Sequence, residues 1–98
     1  MREKFILTRP ADDAIMGIYY DSVLQVVTMG GPTVFYDLML ETLSVVFGSK
    51  TISKVSRDGG RSRFLLEGVS EDRWKHAFEV LRGDWITTPV TSFRRLMS

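Results

Sequence analysis

The chain has 98 residues, of which 44% are hydrophobic and 26% are charged, and its formal net charge is +1. A chain of this length supports one small core, so we expect a single compact domain over residues 1–98. It has no cysteine, which excludes disulfides, thiolate metal sites and cysteine nucleophiles. Because the net charge is so small, any attraction for a polyanion must come from a local cluster of basic side chains.

The first residues, MREKFILTRPADD, contain charges but neither a continuous apolar stretch nor a small-residue cleavage site. No signal peptide is therefore predicted. The longest apolar runs, such as residues 14–20, are too short to cross a bilayer. We expect a soluble, cytoplasmic protein that has no membrane partner.

The N-terminal third contains one clear strand and one ambiguous segment. Residues 4–9, KFILTR, predict a short strand that ends before Pro10. In residues 11–29, polar or small residues recur every three or four positions, which favours a helix. This stripe consists of Asp13, Gly17, Asp21, Gln25 and Thr28. The alternative is a pair of strands that bends near Asp21–Ser22, because this segment also contains a glycine and several β-branched residues.

The second predicted helix follows the sequence MGGPT at residues 29–33, which interrupts regular structure. A proline suits the start of a helix, so we predict a helix over Thr33–Phe47. Gly48 would end it in a left-handed conformation.

Residues 50–64, KTISKVSRDGGRSRF, predict a two-stranded hairpin with a turn at Asp58, Gly59 and Gly60. If the loop has two residues, strand alternation divides the side chains between two faces. The apolar face would carry Val55, Phe64 and Leu66. The opposite, basic face would carry Lys50, Lys54, Arg61 and Arg63, with Ile52 and Leu65 nearer the open end.

A third helix is predicted over Ser70–Arg82. Ser70 suits the N-cap, and acidic residues follow it in the first turn. The apolar stripe at i, i+3, i+4 and i+7 consists of Trp74, Ala77, Phe78 and Leu81. We expect Gly83 to end the helix, residues 85–88 to be extended, and residues 90–97 to form a short basic helical turn.

Together these elements predict an α+β fold in which a small antiparallel sheet packs against about three helices. The sheet would consist of the hairpin near 50–69, which the N-terminal strand 4–9 could join. The first two helices would be apolar around most of their circumference, so they need nearly complete burial. Because a monomer this small has little with which to cover them, we expect a homo-oligomer or a protein partner.

We identify no catalytic, metal-binding or cofactor-binding set in the sequence. The sequence GSKT at 48–51 departs from a phosphate-binding loop, since Leu43 stands where the first glycine belongs and Ser49 precedes the lysine. His76 is the one histidine, and no nucleophile or orienting group accompanies it. The adjacent acidic pairs lie at predicted helix starts, where the helix dipole explains them. We therefore expect no enzyme activity, no cofactor and no metal.

Two functions are compatible with this sequence. The first is a small non-catalytic regulatory or adaptor module that acts through protein–protein contacts as a homo-oligomer. The alternative is a nucleic-acid-binding regulator whose basic hairpin 50–63 contacts phosphates through Lys50, Lys54, Arg57, Arg61 and Arg63. The predicted helix 33–47 argues against a recognition helix, because it has no lysine or arginine. A third interpretation is a small-ligand pocket between the helices, lined by Tyr19, Tyr20 and Tyr36.

Overall fold

In the computed structural model, which describes residues 1–48 and 52–90, six antiparallel strands form one sheet and two helices pack on one of its faces. The strands are β1 (Arg2–Arg9), β2 (Ala14–Asp21), β3 (Val26–Pro32), β4 (Ile52–Asp58), β5 (Arg61–Leu66) and β6 (Ile86–Pro89). The helices are α1 (Tyr36–Phe47) and α2 (Glu71–Asp84). The strand order is β4-β5-β3-β2-β1-β6. Neither helix is long and apolar enough to cross a membrane.

The predicted fold class is wrong, because the sheet is much larger than expected and the described residues contain two α-helices rather than about three. The hairpin pairs with β3 rather than with the N-terminal strand. β1 lies instead between β2 and β6. The protein is therefore a sheet-rich structure with a thin helical layer.

The helix predicted over residues 11–29 is wrong, and the alternative of two strands is confirmed. β2 and β3 pair around a turn at residues 22–25, in which Gln25 has a φ of 55°. The decisive signal has a period of two. The buried side chains of β2 are Ala14, Met16, Ile18 and Tyr20. This alternation and the β-branched residues favour strands over the helix that the polar stripe predicted.

The hairpin forms around the predicted turn, and its loop has two residues, which is the condition under which the two faces were assigned. Gly59 and Gly60 have φ angles of 57° and 78°, and Val55 lies opposite Phe64. A β-bulge between positions 52 and 54 shifts the register, so Ile52 pairs with Leu66 and packs against the core. The placement of Ile52 on the basic face is therefore wrong.

Both observed helices follow the sequence pattern, with small changes at their ends. A 3-10 turn over Thr33–Phe35 precedes α1, which is thus shorter than predicted. Ser70 caps α2 by accepting a hydrogen bond from the backbone N–H of Arg73 at 3.2 Å. α2 continues through Gly83 to Asp84, so the predicted end at Gly83 is wrong. The extended segment at 85–88 is confirmed by β6, whereas the predicted helical turn at 90–97 lies outside the described residues except for its first position.

The core lies between the sheet and the helices, with Trp74 of α2 fully buried in it. Its indole stacks on Tyr20 at a centroid distance of 4.9 Å, and its Nε1 donates a hydrogen bond to Glu3 Oε2 at 2.9 Å. Tyr36 packs on Phe64 on the same side of the sheet. The predicted tyrosine pocket does not form, because Tyr20 is core and residue 19 lies on the other face.

The turn between β2 and β3 is held by the buried carboxylate of Asp21. Its Oδ1 accepts hydrogen bonds from the backbone N–H groups of Val23 at 2.9 Å and Leu24 at 3.2 Å. Its Oδ2 lies 3.2 Å from Nε of Arg2. The hydrogen bond from Leu24, the bond from Val23 and the charge of Arg2 hold the pKa of Asp21 below its ordinary value, against the opposing effect of burial.

Stability should therefore fall in acid, because Asp21 binds a proton more readily in the unfolded chain. Its contribution is fully present above the unfolded pKa of about 3.9 and is lost as the pH falls through the lower folded pKa. We expect Asp21→Asn to be less stable than the wild type near neutral pH and to lose less stability on acidification. Urea unfolding between about pH 6 and about pH 2 measures this, with Glu67→Gln, an exposed acid outside both helices, as the control. An acid dependence unchanged by Asp21→Asn would contradict it.

Candidate binding face of the sheet

Within residues 1–48 and 52–90, nothing packs on the sheet face that points away from the helices, and we name it the open face. Strand alternation assigns it the even positions of β1, β3 and β6, the odd positions of β2 and β5, and the even positions of β4 from 54 onward. An antiparallel sheet commonly leaves one face to water, so exposure by itself indicates no function. The chemistry of the open face is more informative.

Two rows of side-chain positions cross the open face. The first row runs through Lys54, Leu65, Thr28, Tyr19 and Lys4. The second row runs through Ser56, Arg63, Gly30, Gly17, Ile6 and Thr88. Neighbouring strands lie about 4.8 Å apart, so the first row spans about 19 Å from its lysine on β4 to its lysine on β1.

A hollow of about 460 Å³ lies over the middle of these rows. Its walls include Lys4, Tyr19, Arg61 and Arg63. A second hollow of about 300 Å³ shares both arginines and adds residues of β4. The larger hollow has the size of a small-ligand site, and the two arginines border both hollows.

Gly17 and Gly30 are cross-strand partners at the bottom of the larger hollow, and we name this pair the glycine floor. Neither has a positive φ. A Cβ at Gly17 would lie 3.9 Å from the nearest atoms, and one at Gly30 would lie 3.4 Å from the carbonyl oxygen of Ser62. Neither the backbone nor the packing therefore requires glycine here. Glycine inside a strand costs about 0.5–1 kcal/mol relative to alanine, so the glycine floor lowers stability.

Gly31 differs from the glycine floor, because a side chain there would be crowded by β2. A Cβ there would lie 3.3 Å from the carbonyl oxygen of Ile15 and 3.3 Å from Cβ of Met16. Gly31 is also buried, on the face that the helices cover. The space for a side chain is therefore tighter at Gly31, which has three close neighbours on the covered face, than at Gly30, which has one.

Charge is unevenly divided between the two sides of the protein. Among the described residues, the open face carries five basic and two acidic side chains. They are Arg2, Lys4, Lys54, Arg61 and Arg63, with Asp21 and Asp58. The two helices carry six acidic and three basic side chains. They are Asp37, Glu41, Glu71, Asp72, Glu79 and Asp84, with Arg73, Lys75 and Arg82. The net charge of the chain therefore conceals a positive open face opposite a negative helical layer.

Three of the five residues predicted to contact a partner lie together. Lys54, Arg61 and Arg63 share the open face. Arg57 lies on the covered side, where its guanidinium is 3.9 Å from the ring centroid of Tyr36 in a cation–π contact. Lys50 lies outside the described residues. The role of these residues in binding stays a prediction.

Sequence reasoning missed the other half of the open face. These residues are Lys4, Tyr19, Gly17 and Gly30, and their pairing across β1, β2 and β3 was not predicted. Two of the four, Gly17 and Tyr19, lie within residues 11–29, for which a helix was predicted. The alternation of buried residues in β2 was the signal that could have placed Tyr19 and Gly17 together.

Within residues 1–48 and 52–90, no group of three or more histidine and acidic side chains could hold a metal ion. Comparison of the chain with protein-family models, with curated proteins and with solved structures gives no match in any of the three.

Proposed function

We propose that this chain is a small non-catalytic binding module with a regulatory or adaptor role in the cytoplasm, and that it holds an anionic partner on the open face. The observation that carries the proposal is the division of charge, since the part of the chain that the structure describes places five basic against two acidic side chains on that face. An uncovered surface with a positive field attracts anionic partners and speeds their association. The hollow supplies the concave centre that a specific contact needs.

The sheet changes how a nucleic acid would meet the basic hairpin. A free two-stranded ribbon fits the major groove of a duplex. Here β5 is hydrogen-bonded to β4 on one side and to β3 on the other, so the ribbon is part of a broad surface. In the alternative function, nucleic-acid binding, the whole open face therefore makes the contact, and Lys4 acts together with the hairpin residues.

Self-association is also part of the proposal. The homo-oligomer was expected because two predicted helices were apolar around most of their circumference, and the first of these is in fact a pair of strands. α1 still exposes Val45 at 74% and α2 exposes Val80 at 41%. A second copy could place its acidic helical layer on the open face, in competition with another partner. Light scattering would then show a mass above one chain that falls as salt screens the contact.

Chromatography on a phosphocellulose column tests the proposal. We expect Arg61→Ser combined with Arg63→Ser to elute at clearly lower salt than the wild type, because both guanidinium groups face the partner. The matched control is Lys75→Ser with Arg82→Ser, which removes the same charge from α2 and should elute close to the wild type. Equal shifts in the two double variants would mean that net charge alone governs retention and would contradict the proposal.

A further inference from the structure

We propose that the anionic partner is a single-stranded nucleic acid, and that one of its bases lies on the glycine floor beside Tyr19. This inference rests on the proposed function, because it identifies the partner of the same open face. Gly17 and Gly30 lie opposite each other and lower the stability of the sheet, although neither backbone conformation nor packing requires glycine at these positions. Glycine within a strand often marks a place where a ligand approaches the backbone closely.

The glycine floor offers a flat patch of backbone. Gly17 and Gly30 leave no side chain above the peptide planes of two central strands, while side chains surround them on the same face. A planar group fits this space better than a branched aliphatic one. Nucleic acid bases are planar, and proteins bind them by stacking when they are unpaired.

Tyr19 supplies the aromatic contact. It lies two residues after Gly17 on the same face, which places the two Cα atoms about 7 Å apart. Its ring is half-buried and lines the hollow. Aromatic side chains on a sheet surface stack with successive bases of a single strand, largely without sequence preference.

Positive charge extends beyond the hollow, which favours a polymer over a single nucleotide. Arg61 and Arg63 stand on one side of the glycine floor and Lys4 on the other. Lys54 does not line the larger hollow, yet it continues the first row. A free mononucleotide would leave this lysine unused, whereas a strand lying across the sheet would present a phosphate to it.

A duplex fits the open face poorly. The bases of a duplex are stacked and paired inside it, so none of them can reach the glycine floor. The face can then contact only the backbone of a duplex through its basic side chains. Single strands should consequently bind more tightly than a duplex of the same length, and only single strands should respond to changes at Gly17 and Tyr19.

Fluorescence anisotropy with labelled oligothymidylate and oligouridylate of about twelve nucleotides tests the inference, with a duplex of equal length in parallel. We expect Gly17→Val to weaken single-strand binding about tenfold while its thermal midpoint stays equal to or above that of the wild type. Tyr19→Leu should weaken binding similarly, and Tyr19→Phe should retain most of it. Gly83→Ala, in open space on α2, is the control that raises stability without touching the face.

The outcomes separate this inference from the proposed function. Wild-type affinity in both Gly17→Val and Tyr19→Leu would overturn the inference, as would displacement of the oligonucleotide by an equal concentration of free mononucleotide. If no single strand binds while phosphocellulose retention still depends on Arg61 and Arg63, the partner is another polyanion and only the inference fails. If retention does not depend on these arginines, the proposed function itself fails.

Discussion

Replacing Trp74 with alanine is expected to lower the free energy of unfolding by about 3–5 kcal/mol. Trp74 is 1% exposed, stacks on Tyr20 and contacts Phe78 at a centroid distance of 5.5 Å. Alanine would leave a large cavity between α2 and the sheet, and Glu3 would lose the indole N–H. A domain of this size has about 5–15 kcal/mol of stability, so this change is a large fraction of the total.

Urea unfolding followed by circular dichroism measures this effect. Val45→Ala, at a position 74% exposed on α1, should change stability by less than about 0.5 kcal/mol and is the control. If Trp74→Ala does not fold, Trp74→Phe keeps a ring in the core and should fall between the two. A loss below about 1 kcal/mol in Trp74→Ala would contradict the packing described here.

The second large effect concerns binding to single strands. Combined replacement of Lys54, Arg61 and Arg63 by serine is expected to reduce the slope of log K against log salt by about 2, since each phosphate contact to a single strand contributes about 0.7. At about 0.1 M salt the same relation predicts an affinity loss of about 100-fold. Anisotropy titrations at several salt concentrations give both values.

The hairpin contains its own control for this prediction. Arg57→Ser removes one positive charge from β4, just as Arg63→Ser removes one from β5, but Arg57 lies on the covered side against Tyr36. We expect Arg63→Ser to lower the slope by about 0.7 and Arg57→Ser to leave it unchanged. Equal effects would mean that the hairpin acts as a basic segment regardless of its faces, which would contradict the role of the open face.

Local signals in the sequence were reliable where they did not depend on distant partners. Asp58 and two glycines suit a tight turn, and Ser70 with its apolar stripe suits a capped helix; both elements form. Alternation from the turn then places Arg61 and Arg63 on one face, because a two-residue loop leaves no choice of register.

The order of the strands in the sheet could not be predicted from local sequence signals. The pairing of β3 with β5 and of β1 with β6 joins segments far apart in the chain, and no residue pattern specifies such neighbours. In β2, a polar stripe with helical spacing competed with an alternation of two, and the burial of Ile18 and Tyr20 against the helices decides for strand. The glycine floor depends on the exact register between β2 and β3, which the alternative of two strands did not specify.

The central claim is that the open face, and not the helical layer, binds single-stranded nucleic acid. Amide chemical shifts in a ¹H–¹⁵N correlation spectrum, recorded as an unlabelled oligouridylate is added, test it most directly. We predict the largest shifts at Gly17, Tyr19, Gly30 and Arg63, with the amides of α1 and α2 nearly unchanged. Shifts confined to the helices, or none at an oligonucleotide concentration well above that of the protein, would contradict the claim.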